Sequence, residues 1–99
     1  RHRHLEVHGR LPHVEETRIT FLLHDHDARR VQMVASWSDW THAQDLELLE
    51  HGVWRLEVAR PGGERHRYKF IVDGRWLDDP GNPMKEPDGF GGYNSLLVL

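Results

Sequence analysis

Apolar and polar residues alternate with a period of two along most of this chain. The alternation is rich in β-branched and aromatic residues at 18–23, 30–35, 53–59, 65–72 and 94–99, and it predicts a strand at each. Turn signals separate these runs: His24-Asp25-His26-Asp27, Pro61-Gly62-Gly63, Asp73-Gly74 and Asp79-Pro80-Gly81-Asn82-Pro83. No window holds a helical period. Residues 43–50 come nearest, and there Leu46, Leu48 and the following His51-Gly52 read equally well as a short strand and turn. Short strands at this spacing predict an all-β fold, an antiparallel β-sandwich. Residues 1–16, rich in His and Arg, are expected to form an N-terminal arm or an extra edge strand ahead of a sandwich domain at 17–99.

The hairpin around Asp73-Gly74 carries the sharpest local inference. Asp-Gly between two alternating runs is a two-residue turn signal. It predicts Val72 opposite Arg75, Ile71 opposite Trp76, Phe70 opposite Leu77, and Lys69 opposite Asp78. Side chains alternate between faces, so Tyr68, Phe70, Val72 and Leu77 are assigned to the core. Lys69, Ile71, Trp76 and Asp78 then share the opposite face. An indole beside a lysine away from the core suits carbohydrate: the C–H face of a pyranose stacks on the ring while the ammonium donates to hydroxyls.

The four tryptophans divide along the same line. Trp54 shares parity with Leu56 and Val58, and Trp37 continues the parity of Val31, Met33 and Ala35, so both are assigned to the core. Trp40 closes the polar turn Trp37-Ser38-Asp39-Trp40 and Trp76 follows the hairpin; neither belongs to an apolar stripe. Two indoles outside the core predict a surface that stacks on something flat, a sugar ring foremost.

Composition narrows the field. A chain of 99 residues makes one domain that can bury a core without staples. It has no cysteine, which removes disulfide scaffolds, thiolate metal sites and thiol nucleophiles. No apolar run approaches the ~18 residues of a membrane helix and no signal-peptide pattern opens the chain, so a cytoplasmic protein is the default expectation. The sequence opens on Arg1 rather than Met, which leaves open a segment cut from a longer chain. A net charge of −3 with mixed signs favours neither nucleic acid nor an anionic membrane as partner.

The order Arg30-Val31-Gln32-Met33-Val34-Ala35-Ser36-Trp37-Ser38-Asp39-Trp40, Gly52-Val53-Trp54, Tyr68-Lys69-Phe70-Ile71-Val72-Asp73-Gly74-Arg75-Trp76, Asp79-Pro80 and Gly89-Phe90-Gly91-Gly92-Tyr93-Asn94-Ser95-Leu96-Leu97-Val98 resembles the glycogen-binding module of the AMP-activated protein kinase β subunit. The pattern also runs through the related early-set domains of isoamylases, pullulanases and branching enzymes (carbohydrate-binding family 48). The resemblance covers about residues 17–99. It implies an immunoglobulin-like early-set sandwich that binds α-1,4-linked glucan without catalysis. Position by position, it implies that Trp40 and Trp76 stack on glucose rings and that Lys69 bonds hydroxyls. Phe90 would press into the curve of the glucan helix, and Asn94 would bond hydroxyls near the final strand.

Two departures from the family pattern stand out. The family's usual turn, Gly-x-Phe-Asn-x-Trp, here reads Ala35-Ser36-Trp37-Ser38-Asp39-Trp40. Trp37 in place of a core phenylalanine requires repacking, since added core volume costs ~1–3 kcal/mol, and Ser38 is expected to fix the turn by a local side-chain bond less firmly than asparagine. Gly92 stands where the kinase-type module has a hydroxyl contact; Gly91-Gly92 is expected to leave the loop mobile, and Tyr93 is the neighbour able to supply the missing contact.

Other chemistry is expected to be absent. His2/His4 and His24/His26 have i, i+2 spacing, but one pair lies in the terminal arm and the other in a turn, with no third ligand implied, so no metal site is expected. Asp73, Asp78, Asp79 and Asp88 do not make the carboxylate pair of a glycosidase: Asp73 serves the hairpin, Asp79 a turn before Pro80. No catalytic triad, phosphate loop or recognition stripe is present, and no cofactor is expected. Two functions remain: a binding module for glycogen, starch-like polymer or maltooligosaccharides, and an early-set domain without sugar binding that docks on a catalytic domain or protein partner.

Overall fold

The computed structural model describes residues 8, 9, 11–15 and 17–99. Among the described residues, eleven strands make two antiparallel sheets: β1 (His8–Gly9), β2 (His13–Val14), β3 (Arg18–His24), β4 (Val31–Ala35), β5 (Gln44–Asp45), β6 (Glu47–Leu48), β7 (Val53–Ala59), β8 (Arg65–Val72), β9 (Arg75–Leu77), β10 (Lys85–Pro87) and β11 (Tyr93–Val98). One sheet runs β1-β3-β7-β6, with β2 also on β3; the other runs β10-β11-β8-β4-β5, with β9 on β8. The chain is thus an all-β antiparallel sandwich, as its alternation predicts, of the early-set kind that the resemblance implies. Among the described residues of the stretch 1–16, the short segments at β1 and β2 pair with β3, while Leu5, Val7 and the His2/His4 pair lie outside the described residues. No helix among the described residues is long and apolar enough to cross a membrane.

The core fills the space between the sheets with the alternate residues of each long strand. Ile19, Phe21 and Leu23 of β3 and Trp54 and Val58 of β7 meet Val31, Met33 and Ala35 of β4, Tyr68, Phe70 and Val72 of β8, and Leu97 of β11. Phe21 and Tyr68 pack edge to face, with ring centroids 4.9 Å apart, the geometry that aromatic quadrupoles favour. Trp54 is buried as its parity requires, and its indole N–H donates to the Asp25 carbonyl at 3.1 Å. Trp37 reaches the core by another route. β4 stops at Ala35 and a single 3-10 turn, Ser36–Ser38, follows, from which the half-buried Trp37 ring packs edge-on to His66 at 5.5 Å.

Residues 44–48 resolve the ambiguous stretch in the middle of the chain. β5 pairs with β4 in one sheet and β6 with β7 in the other. Between them Leu46 is buried, its N–H bonded to the Val31 carbonyl at 2.8 Å. One apolar side chain thereby anchors the crossing from sheet to sheet.

A buried polar network fastens the connection from β9 to β10. Tyr68 Oη donates to Asp79 Oδ2 at 2.6 Å and accepts from Asn82 Nδ2 at 3.0 Å; Asn82 Nδ2 also reaches the Leu96 carbonyl at 2.8 Å. The Asp79 N–H donates to Ser95 Oγ at 2.7 Å. Each buried polar group here has a partner, which interiors require. Asp79-Pro80 is therefore more than a turn start: it ties the connection to β8 and β11.

Candidate functional site

The hairpin forms in the register read from the sequence. Phe70 faces Leu77, Ile71 faces Trp76 and Val72 faces Arg75; the ladder ends there, before Lys69 and Asp78. Asp73 (φ 49°) and Gly74 (φ 84°) both lie in the left-handed region, the signature of a type I′ turn whose twist matches that of the strands. Asp73 Oδ1 also accepts the N–H groups of Arg29 and Arg30, each at 2.9 Å, which pins the hairpin tip to the entry of β4.

Lys69 points away from the core, opposite Val34 of β4. Val34 and Ile71 are buried on this outer face, so the surface around Lys69 has an apolar floor of its own. Trp76 stands beside it, 54% exposed. Asn94 comes from β11, opposite Glu86 of β10. Trp40 arrives from the loop after β4, where Asp39 (φ 55°) and Trp40 (φ 61°) are both left-handed. For a bulky residue that conformation is strained, by roughly 1–3 kcal/mol. It is held by Trp40 N–H to the Ala35 carbonyl at 3.1 Å and Thr41 N–H to the Ser38 carbonyl at 3.1 Å. Ser38 Oγ adds a bond to the Ala35 carbonyl at 3.2 Å. Ser38 thus fixes the turn through its own side chain.

All five side chains singled out in the sequence (Trp40, Lys69, Trp76, Phe90 and Asn94) line one open depression of about 360 Å³, together with Ser36, Arg67 and Asp88. Phe90 is 94% exposed at the tip of its loop. Among the described residues neither the Trp40 nor the Trp76 indole N–H has a partner, nor does the Asn94 carboxamide. Aromatic faces and free donors therefore look into one concavity, the combination that suits an uncharged polyhydroxylated ligand.

Tyr93 is not among the side chains that line the depression. Successive residues of a strand face opposite ways. With Asn94 in the depression, Tyr93 faces the other way, on the parity of the buried Ser95 and Leu97, and the Lys85 ammonium sits 4.7 Å from its ring centroid.

Asp88, Arg67 and Ser36 were not singled out as ligand contacts. Asp88 Oδ2 accepts from Lys69 Nζ at 2.5 Å, while Oδ1 accepts the N–H of Phe90 at 2.7 Å and of Gly92 at 3.1 Å. The Lys69 ammonium and these two amides hold the Asp88 carboxyl down at about 2. Arg67 is paired through Nε with Glu86, and its N–H donates to Ser36 Oγ at 2.9 Å. Asp-Gly-Phe at the start of a glycine-rich loop was the available signal that Asp88 shapes that loop; nothing in the sequence pairs it with Lys69. Asp88 is also the one carboxylate among the lining residues, so the depression lacks the paired carboxyls of glycoside hydrolysis. Among the described residues no group of three or more His, Cys, Asp or Glu could hold a metal ion.

Comparison with known proteins adds three findings. A family model described as the glycogen recognition site of AMP-activated protein kinase matches residues 18–99. Protein FLOURY ENDOSPERM 6, chloroplastic, of Oryza sativa subsp. japonica is 32% identical over 86 residues, which is 87% of this chain and 16% of that protein. The human 5′-AMP-activated protein kinase subunit beta-2 is 29% identical over 83 residues, 84% of this chain and 29% of that subunit. The chain thus spans less than a third of the length of either relative. Among solved structures, the pullulanase of Bacillus acidopullulyticus superimposes with a TM-score of 0.66 at 16% identity, over 98% of this chain and 12% of that one. At that identity the likeness speaks for the fold. The rice protein is named as chloroplastic, whereas the sequence alone led to a cytoplasmic expectation, and location is not carried over.

Proposed function

The chain belongs to the glycogen-recognition family of AMP-activated protein kinase, a carbohydrate-binding family, and we propose that it binds α-1,4-linked glucan through the depression on the β8–β9 face without catalysing a reaction. In this reading Trp40 and Trp76 stack on glucose rings. Phe90 fills the curve of the helical glucan, and Lys69 and Asn94 bond hydroxyls. An ammonium carries three donors; with one given to Asp88, Lys69 retains two. Glycogen, starch-like polymer and maltooligosaccharides all present the required surface. The observation that carries the proposal is the convergence of five side chains, drawn from four separate segments, on one concavity.

Affinity is expected in the micromolar to millimolar range, because stacking contacts of roughly 0.5–1.5 kcal/mol must offset the ordering of a flexible ligand. Titration with maltoheptaose, followed by tryptophan fluorescence beside cellohexaose, tests the reading. A saturable change with the α-linked sugar alone is expected. It should disappear in a Trp40→Ala/Trp76→Ala variant and weaken in Phe90→Ala, whose exposed ring contributes nothing to the core. A chain that ignores millimolar maltoheptaose, yet loses self-association or a partner contact in the double variant, would make this face a protein interface instead.

A further inference from the structure

Resting on the glucan-binding reading, we propose that Asp88 is the positioning residue of the site, a single carboxylate that presets both the Phe90 loop and the Lys69 ammonium before any ligand arrives. Its two oxygens divide the work. Oδ1 gathers the amides of Phe90 and Gly92 at 2.7 and 3.1 Å, and the Asp88 N–H returns a bond to the Gly92 carbonyl at 3.0 Å. Those bonds close residues 88–92 into a tight loop with Phe90 at its tip. Oδ2 takes Lys69 at 2.5 Å, and in this pairing the lysine and aspartate side chains are only 15% and 9% exposed. A strand residue and a loop residue are thereby locked to each other across the floor of the depression.

The glycines of the loop fit this arrangement. Gly89 (φ 87°) and Gly91 (φ 91°) occupy the left-handed region, which the reversal around Phe90 requires and which glycine enters without steric cost. Gly92 has a different reason. A Cβ there would sit 3.0 Å from Asp88 Oδ2, so the absent side chain admits the carboxylate. The residue that seemed to cost the site a hydroxyl contact makes room for its anchor. Gly91-Gly92, expected to loosen the loop, is closed by the Asp88 bonds instead.

A loop held in its binding geometry leaves less ordering to be done by the ligand. Apparent affinity falls in proportion to the fraction of binding-competent loop, so releasing the loop to a tenth of its population weakens binding about tenfold. Asp88 touches the sugar indirectly, through Phe90 and Lys69.

Two substitutions separate the halves of the device. Asp88→Asn keeps an oxygen for the two amides and removes the charge that holds Lys69; Asp88→Ala removes both. Gly92→Ala displaces the carboxylate while leaving every proposed ligand-bearing side chain in place. Calorimetric titration with maltoheptaose should show about tenfold weaker binding for Asp88→Ala, with a less favourable binding entropy. Asp88→Asn and Gly92→Ala should fall between it and the parent chain. Amide hydrogen exchange without ligand should rise at Phe90 and Gly92 in Asp88→Ala while the amides of Arg65–Val72 keep their protection, which separates a local release from unfolding. Unchanged or tighter binding in Asp88→Ala would overturn the proposal, since it would mean that the aspartate competes with the sugar for Lys69. If the parent chain itself ignores maltoheptaose, the glucan reading fails and takes the binding half with it. Exchange at Phe90 and Gly92 then still decides whether Asp88 orders the loop, and unaltered exchange overturns that half as well.

Discussion

Two aspartates are perturbed in opposite directions, for opposite reasons. At Asp88, the Lys69 ammonium and the loop amides lower the carboxyl from an ordinary 3.8 to about 2. The folded chain therefore holds this proton less tightly than the unfolded chain. Its contribution to stability is fully present above about pH 4 and drains away as pH falls toward 2. Asp79 is raised, chiefly by burial, although the Tyr68 hydroxyl and the Gly81 N–H act against the rise. Its ionised form counts against the fold, and acid relieves that cost. The difference is measurable by thermal unfolding of the parent chain and Asp88→Asn between pH 2 and pH 5. The gap in midpoint should be widest at the upper end and close as pH approaches 2, whereas a constant gap would mean that the carboxylate charge does not matter to the fold.

Among the elements, the β8–β9 hairpin was the most legible, because Asp73-Gly74 sets both the turn and the register, and the register decides which face receives Trp76. The strands at Val53–Ala59 and Arg65–Val72 emerge at their predicted bounds, each with a period of two that runs unbroken between turn signals. The loop after β4 was less legible. Parity counted from Val31 places Trp37 in the core without revealing that the strand stops at Ala35, since that depends on the non-local bond from the Arg67 N–H to Ser36 Oγ. The grouping of Tyr68, Asp79, Asn82 and Ser95 was not legible either, for it joins residues from two strands and the connection between β9 and β10. Tyr68 reads as core from its parity, but Asp79, Asn82 and Ser95 taken singly read as ordinary surface chemistry. Asp79→Ala tests that network: it leaves the buried Tyr68 hydroxyl without its acceptor, which typically costs about 1–3 kcal/mol. Denaturant unfolding should show a loss of that size, and a loss near zero would mean that water or Asn82 takes over the bond.

For the molecule as a whole, the sandwich is a frame that brings distant segments to one patch. Trp40 follows β4, Lys69 and Trp76 straddle the hairpin, and Phe90 and Asn94 flank the entry of β11. The family pattern made these positions legible as candidates, yet their companions were hidden, because a carboxylate 19 residues from its lysine carries no sequence signal of partnership. Those companions change how the patch looks to ions. Lys69 is matched by Asp88 and Arg67 by Glu86, so both cations of the depression are neutralised locally while the chain as a whole carries −3. Binding an uncharged glucan there neither gathers nor releases counterions. Affinity for maltoheptaose should therefore hold within about twofold as the screening length shrinks from roughly 10 Å at 0.1 M salt to roughly 3 Å at 1 M. A steep rise in affinity with salt would reveal that an ammonium or guanidinium leaves its carboxylate to meet the ligand, since screening lowers the cost of opening the pair. A module of this design would hold a neutral polymer equally well in dilute buffer and in the concentrated electrolyte of a living compartment.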